Sequence, residues 1–226
     1  MESVVVLLSG GVASAVAAYR RAGRANIHPL YIDYGRASAD AEREAAEVLA
    51  EALDLRLKVL DLPHVRQIAE AQHGRLPSGQ QIPLSAVGGP GDVAGLAATL
   101  LAVGAQYAAA VGAHVLVTGQ MAAPFDAGQT LSRERTVDPH EFHRAFGAML
   151  EAALPAVRAV RLDTPLIGLQ PFEVVKLAVR FAVPFEYTWS CHRTPPPCGT
   201  CFGCKTRAAA FAQAAVVDPL LRPAGT

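Results

Sequence analysis

Val4-Val5-Val6-Leu7-Leu8-Ser9-Gly10-Gly11-Val12-Ala13-Ser14 is the stretch that decides the fold. Its opening run, Val4–Leu8, is continuously apolar and β-branched at Val4, Val5 and Val6, the pattern of a strand covered on both faces and hence of a parallel sheet. Ser9-Gly10-Gly11 breaks the run, and an Ala/Val-rich helix over 12–22 follows, ending near Gly23. The glycines admit left-handed backbone angles and let amides approach an oxyanion closely. The helix N-terminus adds unsatisfied N–H groups and partial positive charge. Such a turn binds phosphate. It is not of the Walker type, because no Gly-Lys-Ser/Thr follows.

Outward from this unit the alternation continues. Ile27–Asp33 reads as a second strand, acid-rich residues 39–53 as a helix with apolar Ala45, Val48, Leu49 and Leu53, and Arg56–Leu60 as a third strand. Strand–helix alternation of this kind builds a doubly wound α/β sheet. Residues 63–92 carry Pro63, Pro77, Pro83 and Pro90 with little periodicity, and read as an active-site loop or a surface excursion. A helix over about 93–111 leads to a strand at His114–Thr118, which Gly119 stops; residues 120–139 are polar and irregular. His140–Leu154 is helical, Val157–Leu162 a strand, Pro171–Phe181 a helix, and a last helix lies near Lys205–Ala215. The expected architecture is a Rossmann-like α/β domain over 1–187, with a parallel sheet of about five strands. A cysteine-bearing tail, 188–226, packs on the same domain.

With 226 residues, 51% apolar, the chain can bury a full core. Its 20 basic and 20 acidic residues balance, which gives no electrostatic case for a nucleic-acid partner. No apolar run reaches the roughly 18 residues of a membrane span; the Ala-rich stretch 93–118 is punctuated by Gly95, Gly104, Gln106 and Gly112. Residues 1–20 lack a basic segment followed by a signal-length apolar one, so the expected compartment is the cytoplasm.

Every cysteine lies in Cys191-x6-Cys198-x2-Cys201-x2-Cys204. Disulfides serve small secreted domains with poor cores. Reduced thiols at paired C-x2-C spacing instead meet one tetrahedral Zn²⁺ at about 2.3 Å. Gly199 and Gly203 fall inside the turns where N–H groups must point at sulfur. A structural zinc site is the leading reading; an iron–sulfur cluster also suits Cys198-x2-Cys201-x2-Cys204, and free buried cysteines are the third choice. His192 reads as a bystander, because four cysteines complete the shell.

Leu8-Ser9-Gly10-Gly11-Val12-Ala13-Ser14 resembles the SGGxDS signature of the PP-loop ATP pyrophosphatases. Asp33-Tyr34-Gly35, Thr164-Pro165-Leu166, Glu173, Lys176, Trp189-Ser190-Cys191 and Cys198-Gly199-x-Cys201-x2-Cys204 single out one branch. They resemble the 7-cyano-7-deazaguanine synthase, or QueC, family over nearly the whole chain. The resemblance implies adenylation of a 7-carboxy-7-deazaguanine-type carboxylate with ATP and Mg²⁺, attack by ammonia to give an amide, then a second activation and dehydration to the nitrile. It implies a structural Zn²⁺ on Cys191, Cys198, Cys201 and Cys204. Leu8, Ser9, Gly10, Gly11 and Ser14 would hold pyrophosphate, and Asp33, Tyr34 and Gly35 would border the adenosine side. Lys176 would steady charge during adenylation, and Gly119 would be a close-approach point for the purine-like acceptor. A homodimer is compatible with the family pattern.

The chain departs from that pattern at the chemistry. Ala13 stands where the signature has aspartate, Ala15 and Val16 replace threonines, and Pro90-Gly91-Asp92-Val93 stands for Pro-Gly-Arg-Asn. The Pro-Asp-Cys-Arg run has no counterpart near 135–142. Losing one preorganised electrostatic group commonly costs on the order of 10²–10³ in rate. Three readings follow: adenylation with rewired ligands, Asp33 or Asp92 serving Mg²⁺; ordinary nitrile synthesis; or a pseudoenzyme that binds nucleotide and zinc as a sensing or scaffolding subunit. Arg133 and Arg135 are further candidates to reach substrate, whereas His64, His73, His114, His140 and His143 lack ligand spacing.

Overall fold

Val4, Val5 and Val6 have no exposed surface, because β1 (Glu2–Leu7) is the central strand of a five-stranded sheet. The computed structural model describes residues 1–72, 93, 95–122 and 138–220. From β1 the chain forms α1 (Val12–Tyr19), β2 (Ala25–Asp33), α2 (Ala39–Glu51), β3 (Lys58–Asp61) and α3 (Pro63–Gln72). The second half runs α4 (Leu96–Ala110), β4 (Val115–Val117), α5 (Pro139–Ala153), β5 (Arg161–Asp163), α6 (Pro171–Arg180) and α7 (Phe202–Ala214). All pairings are parallel in the order β3-β2-β1-β4-β5, with Val4 opposite Ile27 on one side and Val115 on the other.

Side chains alternate between the two faces of a strand, and the two cores divide accordingly. Val4, Val6, Val115 and Val117 meet Ala15 and Val16 of α1, Leu49 of α2 and Val174 of α6. Val5, Leu30 and Leu116 point the other way, onto Val65 of α3, Leu101 and Ala105 of α4, and Phe146 and Leu150 of α5. Each fully buried Val or Leu contributes about 1.5–3 kcal/mol by area removed from water. The continuous apolar run of β1 is therefore what two-sided covering requires.

The strand order reverses beside β1: the chain steps outward to β2 and β3, then returns to the far side of β1 for β4 and β5. In open α/β sheets the crevice at the carboxyl ends of such a switch point takes the ligand. Ser9-Gly10-Gly11 leaves β1 there, and Thr118-Gly119 leaves β4.

Three expectations are corrected. Residues 63–72 form α3 rather than loop, because Pro63 fits a first helical position, where its missing N–H costs nothing. Leu62, Val65 and Ala69 supply the buried face. The strand expected over 157–162 shrinks to Arg161–Asp163, since β4 offers only Val115–Val117 to pair with. Val157 sits 83% exposed in a one-turn 3₁₀ helix, Ala156–Arg158. The last helix begins earlier, at Phe202, because the Cys201 sulfur caps it by accepting from the Cys204 amide at 3.4 Å. The remainder of the expected loop, 73–92 with Asp92, and residues 123–137 with Arg133 and Arg135 lie outside the described residues.

α7 lies on α6 through Val175 against Ala210, Phe211 and Ala214, with Phe185 meeting Phe211 edge-on at 4.8 Å. Among the described residues no helix is long and apolar enough to cross a membrane.

Candidate nucleotide and metal sites

Gly10 takes φ +78°, and a Cβ there would stand 2.5 Å from the Glu42 carbonyl oxygen. Only glycine lets α2 press on this turn. Gly11 caps α1 in extended geometry, and the Ala15 amide is the first to bond back, to Gly11 O at 3.0 Å. The amides of Val12, Ala13 and Ser14 therefore lie outside the helical ladder. The buried Ser14 hydroxyl donates to Gly11 O at 2.9 Å and accepts from Ser9 N and Ser9 Oγ at 3.2 Å each, so it ties the loop together from within. Gly119 is also a place where no Cβ fits: it would meet Ala13 C and Ser14 N at 2.7 Å. Its Cβ side faces the first turn of α1.

A cavity of about 320 Å³ opens at the switch point. Leu8, Ser9, Gly11 and Ala13 form its floor. Tyr34 and Arg36, beyond the end of β2, form a second wall with Glu42 of α2. Asp33 does not line it; its Oδ1 accepts from Gly35 N at 2.8 Å and closes the turn in which Gly35 takes φ +85°. Arg36 Nη1 donates to Tyr34 Oη and forms an ion pair with Glu42 Oε1, each at 3.2 Å, and Ser38 Oγ donates to the same Glu42 oxygen at 2.8 Å. Burial pushes the Glu42 carboxyl above its usual range, with Arg36 opposing the shift. Sequence reading missed both residues, since Glu42 looks like one more acid on an acid-rich helix. The available signal was that Arg36 follows Asp33-Tyr34-Gly35 directly.

The third wall comes from the tail. Trp189 and Ser190, with His192, Arg207 and Phe211, close the cavity. The Trp189 amide donates to Gly10 O at 2.9 Å, which joins this wall to the glycine loop, and Trp189 Nε1 donates to Cys191 O at 2.7 Å. Arg207 is buried. Its Nε and Nη2 hold both oxygens of Asp218 at 2.7 and 2.8 Å, while Nη1 donates to Thr188 O and Oγ1 at 3.1 and 2.7 Å. His192, read as a bystander of the metal shell, thus takes a place in the cavity wall. Lys176 stands apart: it is exposed, with Nζ 5.2 Å over the Phe172 ring, and is not among the lining residues. Glu173 accepts from Gln170 N at 2.8 Å and caps α6.

All four cysteine sulfurs lie within 4.8 Å of one another and none is in a disulfide. Tetrahedral ligands at about 2.3 Å from one ion are spaced about 3.8 Å apart; Cys191 and Cys201 Sγ stand 3.9 Å apart. Amides of Cys198, Cys201 and Cys204 donate to the sulfurs of Cys191, Cys198 and Cys201 at 3.3–3.4 Å. The Thr200 and Cys201 amides bring the Cys198 thiol down to about 5. Burial pushes Cys204 up to about 12. Gly199 takes φ +69°, as the turn demands, whereas Gly203 is required by crowding, a Cβ there falling 2.0 Å from Ser190 O. The cluster can hold one metal ion, and the residues fit it.

A family model described as queuosine biosynthesis protein QueC matches residues 3–215. The chain is 32% identical to 7-cyano-7-deazaguanine synthase of Methanothrix thermoacetophila over 97% of this chain and 98% of that one. It is also 32% identical to the protein of that name from Koribacter versatilis, over 96% and 91%. Among solved structures, NMN synthetase from Francisella tularensis superposes with a TM-score of 0.51 at 15% identity, covering 97% and 79%. That likeness concerns the fold alone.

Proposed function

Because the chain belongs to the QueC family of queuosine biosynthesis proteins, we propose that it is an ATP-dependent ligase that adenylates a 7-carboxy-7-deazaguanine-type carboxylate and transfers it to ammonia. A single observation carries this reading: the glycine loop and the cysteine-bearing tail enclose one cavity at the switch point, joined by the Trp189–Gly10 hydrogen bond. Nucleotide chemistry and acceptor can meet there.

In the proposed sequence a carboxylate oxygen attacks the α-phosphorus of ATP and pyrophosphate leaves. Ammonia then attacks the acyl carbon, AMP departs with the oxygen, and a proton is lost to give the amide. The amide oxygen then attacks the α-phosphorus of a second ATP, pyrophosphate leaves, and loss of both N–H protons and of AMP with the oxygen yields the nitrile. The chain's part is positioning and charge stabilisation. Ser9, Gly10, Gly11 and the first-turn amides of α1 surround pyrophosphate, with Leu8 beneath and Ser14 fixing the loop's shape. Tyr34 borders the adenosine side, held by the turn of Asp33 and Gly35. Lys176, outside the cavity lining, has no contact role in this scheme.

Zinc suits the cysteine cluster, since sulfurs this close leave no room for a cage of several irons and sulfides between them. Bound there, it would brace the Trp189–Ser190 wall. The donor set for Mg²⁺ is poor: Glu42 is the one carboxylate among the described lining residues, and Arg36 and Ser38 already hold it. Mg²⁺ therefore enters only as the counterion that ATP carries. Ala13, apolar at the cavity floor, favours a second reading, a non-catalytic subunit that binds nucleotide and zinc.

Incubation of zinc-loaded protein with Mg²⁺-ATP, 7-carboxy-7-deazaguanine and ammonium, followed by mass spectrometry, separates the two. AMP together with amide or nitrile supports the ligase. Folded, metal-replete protein that binds ATP yet releases no AMP supports the non-catalytic reading.

A further inference from the structure

Two arginines among the described residues, Arg36 and Arg207, line the cavity, with Lys176 outside it, and they differ in what their donors have left to give. Lys176 is exposed above Phe172. Arg207 has spent its fork on Asp218, and its remaining donors go to Thr188, Ser190 and Phe185. Arg36 is different. Only its Nη1 is engaged, by Tyr34 Oη and Glu42 Oε1, and its Nε and Nη2 have no partner among the described residues. Its side chain is 24% exposed and lines the cavity.

We propose that Arg36 is the oxyanion-recognising residue of this cavity, taking a carboxylate or a phosphate side-on through Nε and Nη2 while Glu42 and Tyr34 hold Nη1. A guanidinium is planar, and its Nε–Nη2 edge presents two parallel N–H bonds that match two oxygens of either group. Long arginine side chains lose rotamer freedom when they bind, and here that cost is met beforehand. Nη1 is pinned at one corner, and the pinning carboxylate is itself gripped by Ser38 Oγ at 2.8 Å. Glu42 also lends its carbonyl to the close packing on Gly10, so the fork and the phosphate loop are set by the same turn of α2. The identity of the ligands rests on the adenylation reading; the fork itself does not.

The test is calorimetric titration of zinc-loaded wild type, Arg36→Gln and Arg36→Lys with sodium pyrophosphate, with Mg²⁺-ATP, and with 7-carboxy-7-deazaguanine beside 7-deazaguanine, which lacks the carboxylate. Arg36→Gln is expected to lose about 10- to 100-fold in affinity for an oxyanion, the range of hydrogen bonds to a charged group. Arg36→Lys should recover part of that, a point charge lacking the fork. Loss confined to pyrophosphate and ATP assigns phosphate as the ligand. Loss confined to the acid, with 7-deazaguanine unmoved, assigns the acceptor carboxylate. Variants within about threefold of wild type for every ligand, well under the tenfold that 1.4 kcal/mol represents, overturn the proposal. A wild type that binds pyrophosphate but neither ATP nor the acid overturns the adenylation reading and leaves Arg36 to be judged on pyrophosphate; one that binds none overturns both. Melting temperature and zinc content are measured first. If Arg36→Gln does not fold, Arg36→Lys, which keeps the charge opposite Glu42, carries the same comparison.

Discussion

Asp218→Ala leaves the Arg207 guanidinium without its counter-charge at a side chain only 2% exposed. Two short charge-assisted hydrogen bonds disappear, at 2.7 and 2.8 Å. Removing one partner of a buried ion pair costs about 3–5 kcal/mol, because the remaining charge stays desolvated. Thr188 O, Thr188 Oγ1 and Phe185 O still accept from the guanidinium, which places this case near the lower end, about 3 kcal/mol. For a chain of this size each kcal/mol moves the melting temperature by about 2–4 °C, so the expected fall is roughly 6–12 °C. Arg207→Met, which removes the charge itself, should cost less than Asp218→Ala, and the double variant should lie close to Arg207→Met. Thermal and urea unfolding of the zinc-loaded protein, with wild type and all three variants, complete the cycle. A fall under 3 °C for Asp218→Ala, or additive single effects, would refute the claim that this pair fastens the C-terminal segment to the Phe185–Ser190 wall.

Other expectations concern the metal, the loop and the buried acid. Cys201→Ser should release the metal and lower the melting temperature, since binding energy at such a site is also folding energy; unchanged metal content by mass spectrometry and an unchanged melt would contradict a structural role. Gly203→Ala should cost at the upper end of about 1–3 kcal/mol and weaken metal retention, because its Cβ would fall 2.0 Å from Ser190 O; a wild-type melt would show that the wall gives way freely. Ala13→Asp should raise Mg²⁺-dependent AMP release, by up to the 10²–10³ that one preorganised electrostatic group commonly contributes. No gain with ATP still bound, as read by calorimetry and AMP assay, would favour the non-catalytic reading. For Glu42, burial raises the folded-state value above the ordinary 4.5, so its stabilising contribution is full below the unfolded value and is lost as pH rises through the folded one. The unfolding free energy of wild type relative to Glu42→Gln should therefore fall as pH rises above the ordinary 4.5 in urea titrations, and a gap that widened with pH would reverse the assignment.

The expected sheet, its parallel sense and its loop were legible in Val4–Ser14 because those signals are local. A strand covered on both faces must be apolar throughout, a turn at φ +78° favours glycine, and both requirements are written in consecutive residues. The cysteines were legible for the same reason: two C-x2-C spacings bring sulfurs together through turns only a few residues long. Local reading failed where a residue's meaning depends on what covers it. Pro63 looked like a loop signal, yet α3 starts there because Leu62, Val65 and Ala69 find a core to bury against. Gly119 is glycine for a reason no neighbouring letter shows: the backbone of α1, more than a hundred positions earlier in the chain, leaves no room for a Cβ.

The sequence by itself determined most of the elements, the family and the four-cysteine cluster that could hold a metal, since each rests on short-range pattern. Tertiary structure decided the charges. Lys176 matched a family lysine but faces solvent, whereas Arg36, Glu42, Arg207 and Asp218, four ordinary charged residues in the chain, become a partly committed fork and a saturated knot around one cavity. The free energy of a charge is set by its desolvation and its partners, and both are properties of the packed fold rather than of neighbouring letters.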